Sequence, residues 1–85
     1  MKTDKQILEE VKQFLTKYGI PKKNGSVPYP PGMEDEYERA RHYVLFHGCM
    51  YGLGFECLQC FYSYQKAEPT DVWRNANDAL YEWDI

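Results

Sequence analysis

The sequence predicts an all-α fold, a small three-helix domain over residues 1–85 with a long, kinked central helix. Three observations carry this prediction. Apolar residues recur at helical spacing near both ends of the chain, start signals precede both stretches, and the middle of the chain is apolar on two opposite sides. A chain of 85 residues has room for one domain, and its 16% aromatic content is too high for a disordered chain.

The first predicted helix covers residues 3–18. Thr3 and Gln6 have the spacing of a capping box, in which each side chain accepts a backbone N–H from the other residue. Gly19 stands where a left-handed residue ends many helices, and Ile20 is expected to make the hydrophobic contact that accompanies such an end. The apolar stripe of this helix consists of Ile7, Leu8, Val11, Phe14, Leu15 and Tyr18.

A loop is predicted over residues 19–32. Asn24-Gly25 is a strong turn pair, and three prolines further along forbid continuous helix. Tyr29 lies between two of these prolines and should be extended. A connection of this length in so small a domain is typical of a functional or poorly ordered loop.

The central helix is predicted over residues 33–66. Acidic residues begin it, as suits a helix N-terminus, and apolar residues then occupy two faces, as expected of a helix covered on both sides. One straight helix of this length would be about 50 Å long. We therefore expect a kink near residues 52–54, where paired glycines weaken the helix.

An α+β fold is the alternative. Residues 43–51 and 55–64 are rich in aromatic side chains and could form a hairpin that turns at residues 52–54. Glu56, Leu58 and Gln59 favour the helical interpretation.

The last helix is predicted over residues 69–83. Pro69 suits a first turn, and Glu68 or Thr70 is the expected cap. Its buried stripe is predicted to contain Val72, Trp73, Ala76, Ala79, Leu80 and Trp83.

Charge is distributed unevenly. Residues 1–23 contain six lysines against three acids, a net charge of +3, and residues 24–85 contain four cations against ten acids, a net charge of −6. The asymmetry favours a head-to-tail contact between copies, or an acidic face for a basic partner. A net charge of −3 without a basic stripe makes a nucleic-acid partner unfavourable.

The expected location is the cytoplasm. The N-terminus lacks an apolar signal segment, and the longest uncharged run, residues 42–55, is too short to cross a bilayer. Three cysteines are an odd number, which favours a reducing compartment over disulfide pairing.

His47, Cys49, Cys57 and Cys60 supply four ligand types that could hold a tetrahedral zinc ion. The Cys57-x-x-Cys60 pair, however, lies in an apolar helical pattern that is typical of buried thiols. We therefore predict neither metal nor cofactor, and keep a zinc-stabilised module as a lesser alternative. No third group aligns with a Cys–His pair, so the chain is predicted not to be an enzyme.

A second functional hypothesis concerns a small anion. Lys22, Lys23, Tyr29, Arg39 and Arg41 could bind a nucleotide-like ligand between subunits of an oligomer. Two lysines in a flexible turn suit a phosphate, and the arginines could add stacking and paired hydrogen bonds.

The first functional hypothesis is a non-enzymatic interaction protein that forms homo-oligomers. Gly48 and Gly52 have the small-xxx-small spacing that lets another backbone approach closely. Exposed tyrosines are expected to anchor a protein partner, with Tyr29, Tyr37, Tyr62 and Tyr64 as candidates. A short, acidic, aromatic-rich chain without a catalytic signature resembles in general character the small accessory proteins of bacteriophages. That resemblance implies a viral inhibitor of a host protein or defence system, acting in the host cytoplasm.

Overall fold

The computed structural model describes residues 2–23 and 25–85, which form four α-helices: α1 (Asp4–Tyr18), α2 (Glu36–Met50), α3 (Gly54–Ala67) and α4 (Val72–Glu82). The all-α class is confirmed, whereas the predicted count of three helices is wrong. The described residues include no β-strand, so the alternative hairpin over residues 43–64 is also wrong. The predicted central helix is two helices, α2 and α3.

A complete turn separates α2 from α3 where the sequence predicted a kink. Gly52 has a positive φ of 73°. Its N–H donates to the carbonyl of Cys49 at 3.1 Å, and the N–H of Leu53 donates to the carbonyl of Gly48 at 2.8 Å. This pair of bonds is a Schellman motif, which satisfies the last carbonyls of α2 and ends the helix. The longest dimension of the molecule is 30 Å, which could not contain a straight helix of about 50 Å.

Gly48 brings α2 and α3 together. A Cβ at this position would lie 3.1 Å from the Cβ of Cys57 and 3.1 Å from the Cα of Gly54. Only a residue without a side chain allows the two backbones to approach this closely. The small-residue spacing therefore has two separate structural causes, since Gly48 permits packing within the chain and Gly52 permits the turn.

Helix α1 begins as predicted and ends differently. The N–H of Gln6 donates to Thr3 Oγ1 at 3.2 Å, and the N–H of Thr3 donates to Gln6 Oε1 at 2.9 Å, which confirms the capping box. Gly19 has the expected positive φ, but its ψ of −173° directs the chain away from the helix. The predicted contact of Ile20 is therefore not made, and its side chain is 75% exposed. Leu8, predicted to be buried, is also exposed.

Helix α4 starts three residues later than predicted. Asp71 is its cap and accepts the N–H of Arg74 at 3.4 Å. Neither predicted cap is available, because the hydroxyl of Thr70 donates to the side chain of Glu68 at 2.6 Å. Trp83 follows the end of the helix and is exposed, so its predicted place in the buried stripe is wrong.

A buried amide fixes the turn between α3 and α4. Asn75 Nδ2 donates to Gln65 Oε1 at 2.6 Å and to the carbonyl of Glu68 at 2.7 Å. These bonds satisfy a polar group that burial would otherwise destabilise.

Helices α2, α3 and α4 pack against one another, and α1 packs on the other side of α2 and α3. Within the described residues, α1 does not contact α4. The core lies between α2 and α3 and is built around five fully buried side chains: Phe61, Ile7, Leu58, Val44 and Cys57.

The loop between α1 and α2 is held against both helices by His42. This buried side chain lies with Nε2 3.2 Å from the carbonyl of Pro28. Its ring also packs edge-on against Phe14 and Tyr18 of α1, with centroids 5.4 and 5.2 Å away. Of the predicted Asn24-Gly25 turn, Asn24 lies outside the described residues, and the N–H of Gly25 donates to the carbonyl of Lys22 at 3.0 Å.

Candidate binding surfaces

The five residues predicted to bind an anion lie in separate places. Lys23 Nζ lies 5.3 Å from the ring centroid of Tyr51, which ends α2, and Lys22 is exposed beside it in the chain. The guanidinium of Arg39 lies 4.0 Å from the ring centroid of Tyr29, near the start of α2. Twelve residues separate positions 39 and 51, about 18 Å along a helix. The lysines and the arginine therefore do not converge on one small ligand.

Arg41, the fifth of these residues, belongs to a polar cluster instead. Its guanidinium donates to Glu38 at 3.0 Å and to Glu10 at 3.2 Å. Glu10 also pairs with Lys2 Nζ at 2.6 Å and accepts the hydroxyl of Tyr62. Burial, together with the hydrogen bond to Glu10, raises the pKa of Tyr62 far above its ordinary range. This cluster joins α1, α2 and α3 through charge-assisted hydrogen bonds.

The predicted interface tyrosines are less exposed than expected. Tyr62 is buried, so the expectation that it is an exposed anchor is wrong. Its hydroxyl is directed to Glu10, and that bond explains the burial. Tyr37 and Tyr64 are half-buried. The ring of Tyr37 packs against Phe61, with centroids 5.8 Å apart, and the hydroxyl of Tyr64 donates to Glu82 at 3.4 Å.

The residues considered for zinc occupy different surroundings. His47 packs against the rings of Tyr43 and Phe46, with centroids 4.5 and 5.2 Å away. Cys49 and Cys57 are buried, and Cys60 is half-buried. In residues 2–23 and 25–85, no three side chains of the metal-binding types are grouped so that they could hold an ion.

Burial makes two of the cysteine thiols unreactive. It raises the pKa of Cys49 to about 11 and that of Cys57 to about 12. Both thiols are therefore protonated at neutral pH, whereas the thiolate is the nucleophilic form.

An apolar surface at one end of the molecule was not predicted from the sequence. A cleft of about 210 Å³ lies between the end of α1 and the α2–α3 turn. Ile20 and Tyr51 are the exposed large apolar side chains at this end, with 75% and 49% of their surface accessible. We call this region the end surface; it comprises Val11, Leu15, Ile20, Cys49, Tyr51, Gly52, Gly54, Phe55 and Glu56.

The sequence gave one signal for the end surface, and it has a second interpretation. Gly19-Ile20 matches a common helix ending, which predicted that Ile20 folds back onto α1. The backbone dihedrals at Gly19 decided otherwise. Two further aromatic residues are exposed near the C-terminus, with Tyr81 accessible to 81% and Trp83 to 41%.

Comparisons of this chain with protein-family models, with curated proteins and with solved structures give no match. Across the described residues, no helix combines the length and the hydropathy that a membrane span requires.

Proposed function

We propose that this chain is a small non-enzymatic protein-binding module and that the end surface is its contact face. The observation that supports this proposal most strongly is the exposure of Ile20, a β-branched apolar residue with 75% of its surface accessible next to an apolar cleft. Burying such a side chain contributes about 1.5–3 kcal/mol.

The composition of the end surface suits a protein contact. Tyrosine combines a large apolar ring with a polar tip and is enriched among the residues that dominate binding energy. Tyr51 provides such a ring, and Lys23 covers part of it with a cation that can face an acidic rim on the partner. The cleft of about 210 Å³ could take an apolar anchor side chain from the partner.

Three observations favour binding over catalysis. The thiols of Cys49 and Cys57 are held protonated. The ring of His42 is enclosed by aromatic side chains and bonded to the backbone. Arg41 is paired with two carboxylates. These groups support the structure, and their chemistry is directed inward.

The partner of the proposed module is another protein, and self-association is the first case to test. The lysine-rich N-terminal segment and the acidic remainder of the chain are complementary in charge, which favours contacts between copies. An inhibitory action on a host protein in the cytoplasm is the finer form of the same proposal. It is supported by the small size, the acidic charge and the apolar contact face.

The test compares matched substitutions at two exposed tyrosines. Tyr51→Ser alters the end surface, and Tyr81→Ser removes an even more exposed ring elsewhere. Light scattering after size exclusion measures the mass of the wild type and both variants over a range of concentrations. Affinity capture from native host extract, quantified by mass spectrometry, compares the proteins that each variant retains.

We expect Tyr51→Ser and Ile20→Ser to weaken the association by about tenfold or more, equivalent to about 1.4 kcal/mol, with little change in Tyr81→Ser. Urea unfolding should give similar midpoints for all three variants, because the replaced side chains are exposed. A protein that is monomeric throughout, and whose captured partners are the same for all variants, would contradict the proposal.

A further inference from the structure

A second cleft, polar and larger, lies where the N-terminal part of α1, the start of α2 and the C-terminal half of α3 meet. Its volume is about 550 Å³, within the range of about 300–1,000 Å³ that is usual for small-molecule sites. The residues that line it are two lysines, two glutamines and two tyrosines: Lys2, Lys66, Gln6, Gln65, Tyr37 and Tyr62.

The charged residues of this polar cleft are both cations, although the whole chain has a net charge of −3. Lys2 pairs with Glu10 at 2.6 Å. Lys66 is exposed, and within residues 2–23 and 25–85 it forms no ion pair. The cleft therefore presents an ammonium group that an anion could bind.

The hydrogen-bonding groups are also biased toward donors. The side-chain oxygen of Gln6 accepts the N–H of Thr3 at 2.9 Å, and that of Gln65 accepts from Asn75 at 2.6 Å. Both amides thus use their acceptor inside the protein. Gln6 retains its amide N–H₂, because the hydrogen bonds of its side chain within the described residues are made by the oxygen. A cation beside amide donors complements a group that only accepts, such as a phosphate or a carboxylate.

Tyr37 supplies an apolar wall. One side of its ring packs against Phe61, and the residue is half-buried, so part of the ring borders the cleft. The ring of Tyr62 is covered by the ammonium of Lys2, 5.2 Å from its centroid. Tyr37 is therefore the ring on which a planar ligand could stack.

From this juxtaposition we infer that the polar cleft binds a small aromatic anion of mononucleotide size. The anionic group lies against Lys66 and Gln6, and the ring stacks on Tyr37. This inference is independent of the end surface. It concerns none of the five residues that the sequence suggested for an anion.

Titration followed by amide NMR shifts tests the inference with three probes: adenosine monophosphate, phenyl phosphate and inorganic phosphate. The variants are Lys66→Gln, which removes the ammonium from the cleft, and Lys5→Gln, which removes an exposed lysine of α1 outside it. Both positions are exposed, so both variants should fold. A third variant, Tyr37→Leu, removes the ring.

We expect saturable binding with dissociation constants below about 1 mM for adenosine monophosphate, and weaker binding in the order phenyl phosphate and then inorganic phosphate. Lys66→Gln should weaken the binding of adenosine monophosphate by about tenfold, a loss typical of a charge-assisted contact, while Lys5→Gln changes it less than about twofold. Tyr37→Leu should weaken phenyl phosphate and leave inorganic phosphate unchanged.

Two outcomes would overturn the inference. Equal weakening in Lys66→Gln and Lys5→Gln would show that the probes respond to overall charge and have no site in the cleft. Equal affinity for inorganic phosphate and phenyl phosphate would show that no ring is recognised. Neither outcome bears on the end surface, since Tyr51 and Ile20 are outside the polar cleft.

Discussion

The hydroxyl of Tyr62 in α3 lies 2.8 and 3.0 Å from the two carboxylate oxygens of Glu10 in α1. Glu10 also pairs with Arg41 of α2, so one carboxylate connects three helices. Within the described residues α1 does not contact α4, and this connection is therefore a main polar attachment of α1 to the rest of the protein.

Removing the Tyr62 hydroxyl should loosen this attachment. Tyr62→Phe leaves a partly buried carboxylate with one donor fewer, and we expect a loss of about 1.5–3 kcal/mol in the free energy of unfolding. Urea denaturation measures the loss. The matched control is Tyr64→Phe, whose hydroxyl bonds an exposed carboxylate at 3.4 Å and should contribute less than about 0.5 kcal/mol. Equal losses in the two variants would contradict the role assigned to Glu10.

Adding a methyl group at Gly54 should separate α3 from its neighbours. A Cβ at this position would lie 2.5 Å from the Sγ of Cys49 and 3.2 Å from Cγ1 of Val11. We expect Gly54→Ala to lower the free energy of unfolding by about 1–3 kcal/mol, as overpacking does. Thermal unfolding measures the change, and Ser63→Ala, at an exposed position of α3, is the control.

A second substitution should partly rescue Gly54→Ala. Cys49→Ala removes the sulfur atom nearest to the added methyl group. In the double variant we expect a loss smaller than the sum of the two single losses by about 0.5 kcal/mol or more. Simple additivity would mean that another contact causes the destabilisation.

The stability of the fold should decrease in mild acid because of His42. Burial lowers the pKa of this residue below 6.5; the carbonyl of Pro28 opposes the shift, and the charges of Arg41 and Lys17 add to it. The unfolded chain therefore binds more protons than the folded chain as the pH falls through about 6.5, and the protein loses stability there. The slope contributed by one histidine is at most about 1.4 kcal/mol per pH unit.

His42→Gln, which keeps an N–H donor and removes the titratable ring, should flatten the decline. Urea unfolding at a series of pH values between neutrality and mild acid measures it. His47, whose pKa burial also lowers, retains its own share in this variant. If the stability of His42→Gln and of the wild type declines in parallel with pH, the shift at His42 is not responsible.

The three cysteines should differ in reactivity toward a thiol reagent. Cys49 and Cys57 are buried and have raised pKa values, whereas Cys60 is half-buried. In the native protein at neutral pH we expect a single thiol to react rapidly, and all three to react after unfolding in urea. Cys60→Ser should abolish the rapid phase. Rapid reaction of a second thiol in that variant would show that the α2–α3 core opens.

Local signals in the sequence determined the all-α class, the capping box of Thr3 and Gln6, and the break in the middle of the chain. These features depend on residues within about four positions of each other, so a single chain segment contains the necessary information. The same reasoning failed at Ile20 and at the start of α4. At both places two local arrangements were possible, and the packing and hydrogen bonds of the neighbours selected one.

Only the tertiary structure decided which residues could form a binding site. It separated Lys22 and Lys23 from Arg39, paired Arg41 with Glu10 and buried Tyr62. It also brought Lys2 of α1 close to Tyr37 and Lys66, which are distant in the sequence. Helical periodicity states which side of a helix is apolar, but the relative positions of helices depend on long-range contacts such as that of Gly48 with Cys57. The helices of this protein are therefore determined locally, whereas its two candidate binding surfaces exist only once those helices have packed.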